Sequence, residues 1–275
     1  MLQYFFITNK PDIGRIAETY GVDRIWIDLE TIGKKRRQAN YDTVKSYHTV
    51  EDVGAMKQAL SKSRVMVRIN PIHDNSSWEV ERVISQGADI VMLPYFKTLK
   101  ECEIFLDMVN GRARTSLLIE TKEAESLVEE IAALRGVDEI HIGLNDLHLS
   151  HGKKFLFEMV SEGNVERLAK VLQKADKYWG FGGIGRLSMG KLPAKYVLDE
   201  HYRVGSSASI LGRSFCDLRT VTETKEIEQI FCEGMAEIRE YEKKLMRLVQ
   251  EGNMAYFEES HAQLRKIVAQ IVAGL

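Results

Sequence analysis

Short apolar runs that end in polar or turn residues alternate along this chain with longer stretches whose apolar positions recur at helical spacing, the pattern of strands and helices in regular alternation. The strand-like runs are 2–8, 24–30, 65–70, 90–93, 116–120, 139–143, the narrow Gly-Phe-Gly-Gly-Ile-Gly run at 180–185, and 202–205. Helical periodicity covers 12–20, 50–60, 77–86, 99–110, 123–134, 164–177 and 193–200. About eight strands in series, separated by helices, predict a TIM-type parallel (β/α)8 barrel. An open doubly wound sheet shares the alternation, but its GxGxxG turn after the first strand is missing. The glycine run at 180–185 reads as close packing of a barrel strand, with a wall of a ligand site as the alternative. From Glu223 the strand pattern stops and two long amphipathic stretches follow, 225–250 and 253–273. The chain thus divides into a barrel at 1–222 and a C-terminal helical extension at 223–275. The extension's apolar faces, Ile227, Ile230, Phe231 and Met235, then Leu264, Ile267, Val268 and Ile271, are expected to be buried against a neighbouring subunit of a homo-oligomer.

Composition narrows the function classes. The 275 residues are 44% hydrophobic and 28% charged, enough for one large core. Lys+Arg 38 against Asp+Glu 40 leaves a net charge of -2, so no basic field exists to hold nucleic acid or an anionic membrane, and neither is expected as a partner. Cys102, Cys216 and Cys232 form no CxxC pair, which fits a reducing, cytoplasmic compartment. The apolar start at residues 1–8 lacks a basic segment and a small-residue cleavage site and reads as a first strand. No run reaches the roughly 18 apolar residues of a membrane-spanning helix.

In a parallel barrel the working residues stand at the C-terminal ends of strands. Those ends offer Asp28 and Glu30, Arg68 and Asn70, Glu120, and Asn145 and Asp146. A carboxylate at the mouth of a buried strand is costly unless paired or metal-bound. Glu120 and Asp146 lie about one strand-helix unit apart, so they converge at neighbouring strand ends. Two carboxylates that leave positions for water and a chelating substrate suit Mg²⁺ or Mn²⁺. The structural alternative has Glu120 capping the helix near Glu123 and Asp146 holding a turn. Arg68, a guanidinium in a buried strand, is an anion binder for a substrate carboxylate, an ion-pair partner of Asp28 or Glu30, or both. The basic run Lys34-Lys35-Arg36-Arg37 is either a receiver for an anionic substrate tail or a solvated loop. His141 reads as a barrel-packing residue, whereas His148 and His151 sit on a loop beyond Asp146 and are free to titrate.

Asp28-Leu29-Glu30, Val67-Arg68-Ile69-Asn70-Pro71, Gly87-Ala88-Asp89-Ile90-Val91-Met92-Leu93-Pro94, Ile119-Glu120-Thr121 and Ile142-Gly143-Leu144-Asn145-Asp146-Leu147 occur in order, and over residues 20–215 the chain resembles the HpcH/HpaI aldolase and citrate lyase beta-subunit family. The resemblance implies a phosphoenolpyruvate/pyruvate-type barrel and a metal-dependent carbon-carbon lyase acting on a 4-hydroxy-2-oxo acid through a pyruvate enolate. It implies a divalent metal on Glu120 and Asp146, and Arg68 on the 2-oxo acid with Asp28 and Glu30 beside it. The substrate carboxylate would lie against Gly143, Asn145 and Asp146. The chain departs from the aldolase pattern at Thr31, where those enzymes carry an acid/base histidine, and at Leu118, where they carry glutamine. Two other readings follow from the departures: a lyase acting on an acyl-CoA thioester, and a non-catalytic barrel that binds a 2-oxo acid. A base for the hydroxyl proton would come from metal-bound water, His148 or His151.

Overall fold

Each predicted strand-helix unit must bury an apolar strand on both faces, and a closed parallel sheet with helices outside does so. The structure, a computed structural model describing residues 1–33 and 47–275, has that form. Strands β1 (Gln3–Ile7), β2 (Arg24–Asp28), β3 (Arg64–Arg68), β4 (Ile90–Leu93), β5 (Arg114–Ile119), β6 (Glu139–Ile142), β7 (Tyr178–Ile184) and β8 (Ala208–Leu211) pair in chain order, all parallel, and β1 closes on β8. Around them lie α1 (Pro11–Thr19), α2 (Val50–Ala59), α3 (Ser76–Ser85), α4 (Leu99–Val109), α5 (Lys122–Ser126), α6 (Val128–Ala133), α7 (Leu144–Ser150), α8 (Glu158–Ser161), α9 (Asn164–Lys174), α10 (Ala194–Arg203), α11 (Thr224–Gln250) and α12 (Met254–Ala273). The basic run 34–37 lies outside the described residues.

The barrel interior is layered. At its N-terminal end Arg24 makes a two-pronged pair with Glu139, Arg114 reaches the same carboxylate at 3.0 Å, and the Arg24 guanidinium lies 4.6 Å from the Phe5 ring centroid. This paired plug fills the floor with charges that satisfy one another. Above it Phe5, Trp26, Met66, Ile90, Met92, Leu118 and Ala208 form an apolar layer, and the far end opens as the mouth.

Two predicted elements are corrected. The eighth strand is Ala208–Leu211, not 202–205, where α10 runs on through Tyr202 to Arg203. Its approach, Ser206-Ser207-Ala208-Ser209, is too small and polar to read as a strand. Small residues are what the site needs, since a Cβ on Gly180 of β7 would come 2.3 Å from the Ala208 carbonyl oxygen. The predicted helix 123–134 breaks at Leu127 into α5 and α6.

The two C-terminal helices pack on the barrel itself. Helix α11 packs against α1 and α10, burying Ile227, Phe231 and Met235 in the chain's own core. Phe231 meets Phe6 of β1 edge-on, with centroids 4.9 Å apart. Following β8, α11 lies against both α1 and α10. Helix α12 lies over α10, where Asp199 accepts from the Ser260 hydroxyl at 2.5 Å and His261 pairs with Glu200 at 2.8 Å. Leu264 and Val268 are buried in that contact and Ile267 is half-buried. The faces expected to await a neighbouring subunit are thus largely covered within the chain.

Ending the chain at Thr222 is expected to abolish the cooperative thermal transition in circular dichroism, because it uncovers Phe6 and α1. A soluble, cooperatively melting fragment would contradict this packing. His201, fully buried and stacked on Phe181 at 3.7 Å, has its pKa pushed well below 6.5 by burial. The unfolded chain therefore takes up a proton below about pH 6.5 that the folded chain refuses, so stability falls with acidity by about 1.4 kcal/mol per pH unit from this residue. Urea titrations at pH 7 and 5 should show a smaller acid loss for His201→Phe than for the natural chain.

Candidate active site

A cavity of about 270 Å³ opens at the C-terminal mouth of the barrel. Asp28, Arg68, Glu120, Gly143, Asn145 and Asp146 line it, together with Trp26, His141, Gly182 and Gly183. Strand register accounts for the acid-base pair at its edge, since Asp28 of β2 is the direct partner of Arg68 of β3. The guanidinium donates through Nε to Asp28 Oδ1 and through Nη2 to Oδ2, both at 2.9 Å, and Nη1 lies 3.4 Å from Glu30 Oε2. Burial opposes the charge, but Asp28 and then Glu30 outweigh it and raise the pKa, so Arg68 stays a cation. The ion-pair reading of Arg68 holds in the structure, and the side chain still faces the cavity. Glu30 itself is 2% exposed and does not line the cavity.

Glu120 does not cap a helix. Thr121 does so, accepting from the Ala124 N–H at 3.1 Å and donating to the Phe96 carbonyl at 2.9 Å. Glu120, 2% exposed, instead accepts at Oε1 from the Tyr95 N–H at 2.9 Å. Tyr95 follows Pro94 with φ 49°, a left-handed conformation that costs a non-glycine residue energy and that aims its amide at the carboxylate. A Cβ on Gly143 would stand 3.0 Å from Glu120 Oε2, so glycine there leaves room for the carboxylate. Asp146, 5% exposed, occupies the first turn of α7, immediately beyond β6. Asp146 thus lines the cavity from the first turn of a helix. Asn145 is exposed at the rim.

His148 lies within α7 and His151 caps its C-terminal end, not on a loop as expected, and neither lines the cavity. His148 is buried, with Nδ1 3.1 Å from the Leu144 carbonyl and a pKa lowered by burial. His151 pairs with Glu125 of α5 at 2.5 Å, beside Arg167 of α9. His48, which lines the second cavity and not this one, stands behind Asp28, where its Nδ1 accepts from the Asp28 N–H at 2.9 Å. No spacing in the sequence ties residue 48 to residue 28. Asn70 steadies the same corner, accepting at Oδ1 from the Thr31 and Ile32 amides while its own amide group donates to Glu79 at 2.8 Å. Arg213, just beyond β8, separates this cavity from a second of about 530 Å³ over β1 and β8. Sequence reasoning missed it because the eighth strand was misplaced.

The chain belongs to the HpcH/HpaI aldolase/citrate lyase family, whose sequence profile matches residues 2–159. Among solved structures it is similar to an HpcH/HpaI aldolase from Desulfitobacterium hafniense DCB-2, at 16% identity and a TM-score of 0.58 over 77% of this chain and 86% of that one. It is similar also to an HpcH/HpaI aldolase/citrate lyase family protein from Burkholderia cenocepacia J2315, at 17% identity and a TM-score of 0.60 over 83% and 93%. A third relative, the citrate synthase SbnG, shares 18% identity with a TM-score of 0.55 over 92% and 95%. No curated protein sequence matches.

Gly143→Ala is expected to destabilise the fold by about 1–3 kcal/mol through the contact with Glu120. In Glu120→Ala the same substitution should cost less. A double-mutant cycle of urea midpoints measures that difference, and strict additivity would show that the glycine is not there for the carboxylate.

Proposed function

We propose that this protein is a metal-dependent carbon-carbon lyase of the aldolase type that cleaves or forms a 4-hydroxy-2-oxo acid through a pyruvate-type enolate. The observation that carries this reading is the single cavity that Glu120, Asp146 and Arg68 line together. The donor set fits a hard divalent cation such as Mg²⁺ or Mn²⁺. It offers two buried carboxylates in one cavity, one seated against a glycine that leaves it space, and among the described residues no third His, Cys, Asp or Glu completes a closed cage. Glu120 and Asp146 would hold the ion, which when bound supplies Lewis-acid polarisation of the substrate's keto oxygen.

The chain's own groups supply the rest. Arg68 places a permanent positive charge where the enolate oxygen gains charge, and Asp28, gripping it by two hydrogen bonds, fixes its plane before substrate arrives. The Tyr95 amide holds Glu120 in place. Gly143 and the start of α7 form the wall against which the substrate carboxylate lies, with Asn145 at the rim. The substrate is a small 2-oxo acid, and the product of cleavage is a pyruvate-like acid plus an aldehyde.

Calorimetry with Mn²⁺ and oxalate, a mimic of the pyruvate enolate, is the direct test. The intact chain is expected to bind the metal more tightly when oxalate is present. Glu120→Ala combined with Asp146→Ala is expected to weaken that binding by more than about 100-fold. Absence of binding in the intact chain would mean that the carboxylates serve the fold alone.

A further inference from the structure

Two polar groups in the wall of the first cavity are left without a protein partner. Trp26 of β2 is 3% exposed, and its indole Nε1–H makes no hydrogen bond. His141 of β6 is 4% exposed; it directs one ring N–H to the Gly182 carbonyl. Its other ring nitrogen, a lone-pair acceptor, bonds no group among the described residues. The two rings meet edge to face, with centroids 6.5 Å apart and an interplanar angle of 88°. A phenylalanine at 26 and a leucine at 141 would fill this layer without stranding a polar atom, so packing does not account for the pair.

We propose that Trp26 and His141 form a hydroxyl-recognition subsite, in which a ligand hydroxyl oxygen accepts from the indole N–H and the hydroxyl hydrogen is donated to the imidazole nitrogen. The pairing selects the group. The indole only donates and the free imidazole nitrogen only accepts, so a carboxylate or carbonyl would satisfy the first and face the lone pair of the second, and an ammonium the reverse. A hydroxyl satisfies both. Arg68, 5.2 Å from the Trp26 ring centroid, sets the anionic end of the ligand on the same side of the cavity. Burial first, and then the Arg24 and Arg68 cations, push the His141 pKa down to about 3, so the ring keeps its lone pair throughout the neutral range and is a poor proton-transfer base. Both residues are positioning residues that confer specificity. The inference rests on the enolate reading for the acid that carries the hydroxyl, and it adds that hydroxylated acids are preferred over their deoxy counterparts.

The test is an indole ¹⁵N titration of the full chain loaded with Mg²⁺, with 2-oxobutanoate and with 4-hydroxy-2-oxobutanoate, the Trp26 resonance being assigned against Trp78 and Trp179 by its loss in Trp26→Phe. The hydroxylated acid is expected to shift the Trp26 N–H resonance and to bind at least about ten-fold more tightly. In Trp26→Phe and in His141→Phe that preference should shrink to under about two-fold while oxalate affinity is unchanged. Equal affinities in the natural chain, an unmoved Trp26 resonance, or variants that lose oxalate and hydroxy acid alike would overturn the subsite. Should Trp26→Phe fail to fold, loss of the other two indole resonances in Trp78→Phe and Trp179→Phe assigns that of Trp26, and its response in the natural chain then decides alone. Oxalate binding without hydroxyl preference removes the subsite and leaves the lyase reading standing; hydroxyl preference without metal-dependent oxalate binding keeps the subsite and removes that reading.

Discussion

Everything at the barrel mouth hangs on the pairing of Asp28 with Arg68 across adjacent strands. Two full charges at the buried ends of parallel strands are tolerable only if they neutralise one another, and register places them opposite each other at hydrogen-bonding distance. Once the guanidinium is gripped on one edge, its orientation is set for whatever enters the cavity. His48 reinforces the same point from behind through the Asp28 amide, and the Asn70–Glu79 pair holds the turn that follows. Removing Asp28 would therefore take both of its hydrogen bonds from the guanidinium, leave it Glu30 at 3.4 Å, and loosen the corner as well.

The fold was largely legible in the sequence because parallel strands buried on both faces announce themselves as apolar runs, and seven of eight do so here. The eighth escaped detection since β7 and β8 approach so closely that their contact is built from glycine, alanine and serine, residues that carry no hydrophobic signal. Arg213, just beyond that strand, escaped with it. The carboxylates of the mouth were legible for the opposite reason. Glu120 closes a run of leucines and isoleucine where a charge has no business unless it has a task.

What sequence could not show was contact between residues distant along the chain. His48, Tyr95 and Trp26 acquire meaning only through an amide aimed at an imidazole, a strained turn aimed at a carboxylate and an indole with no acceptor. His141 was read as packing material. It does pack, against Phe5 at 5.7 Å and Trp26, yet its environment also keeps it uncharged between two arginines, which is what a fixed hydrogen-bond acceptor requires.

The seam between the two ends of the chain carries a consequence for how the molecule is made. The Leu2 N–H donates to Glu242 of α11 at 2.8 Å, Arg239 returns a hydrogen bond to the Leu2 carbonyl at 2.9 Å, and β1 has no neighbour on one side until β8 arrives. Until β8 pairs with it, β1 is therefore an open edge, and Tyr4 and Phe6 are covered by Arg239 and Phe231, more than 200 positions later. Closing the barrel thus joins residues far apart in sequence, contacts whose loop-closure entropy must be met before they form.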